Sequence, residues 1–135
     1  MACVVYPSDR FENLSFEAAA FSVNKIPAAS TEADCLEYAD QVALPRAHLK
    51  TSSTAINGRV FSYASDTSTV TGHSQSVHLY RTFRDDRCYE LRIAISLSEV
   101  LPVSPTAQGQ PFTNSDAEDV RARLKRILNT FRFLK

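Results

Sequence analysis

The chain has no surplus of charge of either sign. Among its 135 residues, 15 Lys plus Arg balance 15 Asp plus Glu. A dedicated nucleic-acid or anionic-membrane binder normally carries a basic excess, so the balance argues against both partners. Glycine is scarce, at three residues (Gly58, Gly72 and Gly109), and no Gly-rich phosphate loop can be drawn from them. No apolar run approaches the roughly 18 residues of a bilayer span. The opening stretch, MACVVYPSDR, lacks a charged region followed by an apolar one, so no secretory signal is read there. Met1 also fits a start placed where a longer precursor was trimmed, which leaves the natural compartment open. The three cysteines, Cys3, Cys35 and Cys88, form no CxxC and no zinc spacing. Two readings stand for them. Cys35 and Cys88 can be bridged, closing a loop of about 50 residues for roughly 4 kcal/mol, or all three are buried thiols.

What is there is best seen over residues 76–96, SVHLYRTFRDDRCYELRIAIS. Tyr89, Leu91, Ile93 and Ile95 alternate with Cys88, Glu90, Arg92 and Ala94, the period of a strand with one buried face. Residues 77–83 are rich in β-formers, and Arg84-Asp85-Asp86-Arg87 is the turn. Without Gly, a looser four-residue loop is expected rather than a two-residue primed turn. The register then places Phe83 opposite Cys88, Arg81 opposite Glu90, Tyr80 opposite Leu91 and His78 opposite Ile93. The Arg81–Glu90 pair is a cross-strand charge match on the order of 0.2–1 kcal/mol. The core face carries Tyr80, Tyr89, Leu91, Ile93 and Ile95, with His78 at its margin.

Along the chain, residues 3–6 read as a short strand stopped by Pro7. The segment FEAAAFSVNKI reads as a strand despite its alanines, with Glu17, Ala19, Phe21, Val23 and Lys25 on one side. A helix starts at Thr31-Glu32-Ala33-Asp34, with Leu36 and Ala39 in its apolar stripe, and ends at Pro45. Asn57-Gly58 marks a hairpin, because both residues tolerate positive φ. Its return strand carries Phe61 and Tyr63. Residues 65–74, SDTSTVTGHS, read as a polar loop. Residues 98–114, with three prolines and a glycine, read as a long irregular connection of the functional or mobile kind. The last helix opens on a capping box at Ser115-Asp116-Ala117-Glu118 and buries Ala117, Val120, Leu124, Ile127, Leu128 and Phe131. Residues 131–133 alternate as a short closing strand. The expected fold is a single α+β domain over residues 1–135, an antiparallel sheet of about five to seven strands flanked by two helices.

Reactive constellations are thin. His73 and His78 with Asp66 are metal-ligand types, but a loop and a strand carry the two imidazoles, and His48 is distant in sequence. The nucleophile elbow GxSxG is absent. Cys88 and His78 fall on opposite faces of the hairpin, which argues against a thiol–imidazole pair. No catalytic residue and no cofactor are assigned. Arg121, Arg123, Lys125 and Arg126 offer a basic helix face for an acidic partner, against the plainer reading of a solvated face.

The string INGRVFSYASDTSTVTGHSQSVHLYRTFRDDRCYELRIAI, with a terminal RILNTFRFLK, resembles bacterial domains of the PsbP-like superfamily. The shared features are the Asn-Gly turn before an aromatic strand, the long Tyr-bearing strand pair and the helix closing on ILNTFRF. CYELRI and CLEYA resemble an exported bacterial branch of that group. The resemblance runs from about Thr31 onward. It implies an α/β/α sandwich, a periplasmic or extracellular setting and hence the Cys35–Cys88 bridge. It also implies a non-catalytic domain with a protein-binding or envelope-assembly role, monomeric or a weak homodimer. The competing reading is a small-ligand or metal-binding domain, less readily a hydrolase, built on the His73/His78 region.

Overall fold

The computed structural model describes residues 2–6, 16–37, 52–98 and 113–133. In chain order the elements are β1 (Ala2–Tyr6), β2 (Phe16–Ile26), α1 (Glu32–Glu37), β3 (Ser52–Ile56), β4 (Arg59–Val70), β5 (His73–Arg84), β6 (Arg87–Ser98) and α2 (Asn114–Thr130). The six strands form one open antiparallel sheet in the order β1-β2-β6-β5-β4-β3. The α+β class and the strand count therefore stand.

The β5–β6 hairpin carries the expected register, with Phe83 opposite Cys88, Arg81 opposite Glu90, Tyr80 opposite Leu91 and His78 opposite Ile93. Its turn differs from expectation. Asp85 and Asp86 both take positive φ, at 49° and 55°, so this is a two-residue turn without glycine. Aspartate tolerates the left-handed region because its short polar side chain can bond the local backbone. The polar loop expected over residues 65–74 is likewise a hairpin. Strand β4 runs on to Val70, Thr71 and Gly72 turn at φ 37° and 79°, and β5 begins at His73. The Ser and Thr residues here read as loop by polarity, but β-branched side chains suit an extended, half-exposed strand.

Strand β2 confirms the extended reading of FEAAAFSVNKI, with one irregularity. Phe16 pairs with Leu97 and Ala18 with Ser96, leaving Glu17 as the extra residue of a bulge. Strict alternation would place Glu17 beside Ala19 and Phe21 in the core. The bulge frees this carboxylate and turns Phe16 inward instead.

Both faces of the sheet centre are covered. On one, α2 lays Val120, Leu124 and Leu128 over Phe21, Tyr80, Leu91, Ile93 and Ile95. On the other, α1 brings Cys35 to Cys88 beside Ala29, Ile26 and Phe83. Cys35 and Cys88 form a buried disulfide with Cα atoms 5.4 Å apart, which decides between the two cysteine readings. Cys3 is free and exposed. Leu36, expected in the apolar stripe of α1, is exposed, and its neighbour Cys35 is the buried anchor. Thr31 caps α1: its Oγ1 accepts from Asp34 N–H at 3.1 Å and Asp34 Oδ2 accepts from Thr31 N–H at 3.1 Å. The expected course of that helix through Ala39 to Pro45 lies outside the described residues, as does most of 98–114.

The start of α2 also needs correction. The capping box is Thr113 with Asp116, not Ser115 with Glu118. Thr113 Oγ1 accepts from Asp116 N–H, and the Asp116 carboxylate accepts from Thr113 N–H at 2.7 Å. The short closing strand is absent as well: residues 131–133 pair with no described strand. Phe131 is the C-cap, donating its N–H to Leu128 O. Asn57 Nδ2 donates to the carbonyls of Asn129 at 2.7 Å and Phe131 at 2.8 Å. That clasp fixes the helix end to the β3–β4 turn in place of a strand ladder. Among the described residues no helix is long and apolar enough to cross a membrane.

Candidate functional site

Helix α2 packs chiefly on β2 and β6. The same face of β3, β4 and β5 is left as the floor of a cleft of about 420 Å³. Cross-strand register builds its polar wall. Tyr63 stands opposite Tyr80, and Ser65 opposite His78. The small Ser65 leaves room for the Tyr63 ring to lean along the sheet. Tyr63 Oη lies 2.8 Å from His78 Nδ1. The Tyr63 ring stacks on the imidazole at 6.0 Å and tilts against Tyr80 at 5.0 Å. Ile56, Ile93 and Leu128 supply the apolar part. From α2, Arg121 and Lys125, one turn apart, reach the rim.

The electrostatics follow from this packing. Burial holds the His78 imidazole below its ordinary value of 6.5, and the charges of Arg121 and Lys125 push the same way, with Glu118 opposing. Burial raises the Tyr80 phenol to about 12, helped by Tyr63 and opposed by Arg121. Near neutral pH the wall therefore carries an uncharged imidazole and a protonated Tyr80 phenol, and the formal charge is cationic at the rim. His78 Nε2 is buried and makes no hydrogen bond among the described residues. Arg121 also pairs with Glu118, and its Nε is buried without a partner among the described residues.

Compared with known proteins, the chain matches no family model, no curated protein and no solved structure. What the site can do is argued from its own geometry.

The structure separates the residues considered for a metal. His78 points to the α2 face, whereas Asp66 and His73 sit on strand positions of the other face. His73 Nδ1 lies 2.5 Å from Glu17 Oε1, and an Asp66 oxygen accepts the N–H of Thr67. Among the described residues no cluster of three or more His, Cys, Asp or Glu side chains is placed to hold a metal. The basic residues of α2 divide in the same way. Arg121 and Lys125 border the cleft, while Arg123 faces Asp119 at 3.9 Å in solvent and Arg126 is exposed. Tyr63 and Tyr80 were not singled out as site residues by sequence. Extending the hairpin register back through Thr71-Gly72 would have found them facing each other.

One consequence is measurable. The unfolded chain protonates His78 near 6.5, and the folded chain only at lower pH. Between those values the unfolded state binds more protons, so the stability present above 6.5 is lost as pH falls below it. An NMR titration should show the His78 ring titrating below 6.5, and His78→Gln should flatten the acid side of the stability profile. A ring that titrates at or above 6.5 would contradict this account.

Proposed function

We propose that this chain is a non-catalytic binding domain whose α2 cleft takes a small acidic ligand with an apolar body. The observation that carries the reading is the pairing of a cationic rim, Arg121 and Lys125, with an aromatic and aliphatic floor in one concavity of ligand size. An acid places its carboxylate at the rim, where hydrogen bonds to charged donors are strongest. Its apolar part displaces water from Ile56, Ile93 and Leu128. The two described histidines lie on opposite faces of the sheet, so no one concavity gathers both, which supports binding over catalysis. The buried Cys35–Cys88 bridge and the PsbP-like resemblance together support an exported, oxidising setting. An acidic segment of a protein partner would use the same chemistry as a small acid.

Calorimetric titration tests the reading with phenylacetate, its neutral amide and a Glu-rich peptide as probes. Phenylacetate is expected to bind and the amide to bind at least about tenfold more weakly. Arg121→Ala with Lys125→Ala should cost about ten- to hundredfold in affinity. Binding of the peptide alone would assign the cleft to a protein partner. Equal affinity for acid and amide, or no effect of the double variant, would remove the cationic rim from the account.

A further inference from the structure

We propose that a second concavity, at the turn end of the sheet, binds a phosphomonoester. It has a volume of about 450 Å³ and is lined by Arg59, Arg84, Arg132, Phe61, Phe131 and Phe133 together with the β3–β4 turn. The two concavities share Ile56 at their border, but none of these arginine and phenylalanine side chains lines the α2 cleft, and the proposal does not depend on that cleft's ligand.

The first argument is charge. Three guanidinium groups line one small space in a chain whose charges balance overall. Of these three, only Arg84 has an ion-pair partner among the described residues, Asp85 at 2.9 Å, and that carboxylate is largely exposed. Counted over the described residues, the site therefore carries an excess of two positive charges. Like charges held together raise the local potential and favour occupation by an anion. A phosphomonoester dianion matches the excess of two, whereas a carboxylate supplies one.

The second argument is that the cations are held in place. The Arg59 guanidinium lies 5.3 Å and that of Arg84 4.9 Å from the centroid of the Phe133 ring. Phe133 is itself braced edge-on by Tyr89 at 4.9 Å and Phe131 at 5.0 Å. Stacking on an aromatic face restrains the planar fork and leaves N–H groups for bonds to a phosphate, with Arg84 Nε already engaged by Asp85. The wall carrying Phe131 is secured in turn by Asn57, which donates to the carbonyls of Asn129 and Phe131. A preorganised pair of forks needs little ordering when the ligand arrives. The phenyl rings beside the forks suit an ester whose organic part is flat or apolar.

The test is an amide NMR titration with phenyl phosphate, inorganic phosphate and benzoate, at a pH where the phosphate is doubly charged. Saturable shifts are expected at residues 57–59, 84 and 131–133, with phenyl phosphate tighter than benzoate. Arg132→Gln and Arg59→Gln should each weaken phenyl phosphate by about tenfold or more. Arg132 is exposed and makes no described ion pair, so its replacement leaves the fold intact. Arg123→Gln, outside both concavities, removes one charge and should leave affinity unchanged. Shifts confined to Arg121 and Lys125, benzoate binding as tightly as phenyl phosphate, absence of saturation, or wild-type affinity in Arg132→Gln would each overturn the proposal.

Discussion

Glu90→Ala is expected to destabilise the protein by about 3–5 kcal/mol. The Glu90 carboxylate accepts from Arg81 Nε at 2.9 Å and from its second guanidinium nitrogen at 2.7 Å. Both side chains are buried, at 7% and 8% exposure. Sequence alone places this pair on adjacent strands as a cross-strand charge match, on the order of 0.2–1 kcal/mol. Burial changes the arithmetic. Two charges withdrawn from water are tolerable only together, and removing the carboxylate takes from the buried guanidinium the counter-charge that accepts two of its hydrogen bonds. Urea denaturation of Glu90→Ala gives the cost directly. The paired replacement Arg81→Met with Glu90→Leu should recover most of it, since apolar side chains of similar volume need no counter-charge. A loss under about 1 kcal/mol in the single variant would mean that water reaches the pair.

Removing the Cys35–Cys88 bridge should cost about 2–5 kcal/mol. The two cysteines are 53 residues apart in sequence, and in the chain-entropy model a loop of that length is worth roughly 4 kcal/mol. Local structure adds to the effect. Helix α1 has 6 described residues, far fewer than the roughly 12–15 that sustain an isolated helix in water. Its anchoring to the sheet rests on Cys35 and the small cluster around it. The double variant Cys35→Ala with Cys88→Ala separates the covalent effect from thiol chemistry, and its denaturation midpoint is to be compared with that of the reduced wild type. Both sulfurs are fully buried, so reduction under native conditions should be slow and should accelerate in denaturant, because access requires opening. Mass spectrometry showing three free thiols in protein prepared under oxidising conditions would remove the bridge from the account.

Signals confined to a few adjacent residues were legible before any coordinates. Asn57-Gly58 gives its hairpin because the turn chemistry is local, and the period-two run from Tyr89 to Ile95 gives the β5–β6 register. Non-local features were not legible. The polar tract 65–74 has the composition of a loop, and only its pairing with β6-bound β5 makes it strand. The bulge at Glu17 depends on what Leu97 and Ser96 require across the sheet. The second buried face depends on a bridge that pulls α1 onto Cys88. Of the site, His78, Arg121 and Lys125 were already candidates, but for two separate reasons. They belong to one cleft only because α2 lies over β2 and β6 and leaves β3 to β5 open beneath its other flank. Neither arginine pocket nor cleft has a sequence signature, since each is assembled from residues far apart in the chain.

The strand order carries a consequence for biosynthesis. Strands β3 to β6 form a meander in which each strand pairs with the next one made, so this part of the sheet can assemble as it leaves the ribosome. Strand β2 cannot. Its Ile26 pairs with Cys88 and its Phe16 with Leu97, so every rung of that ladder waits for residues produced much later. Until then the Phe16–Phe21 surface and the β1 strand beside it have no sheet to join. The N-terminal hairpin is the first part of the described fold to be synthesised and the part whose docking must come after β6.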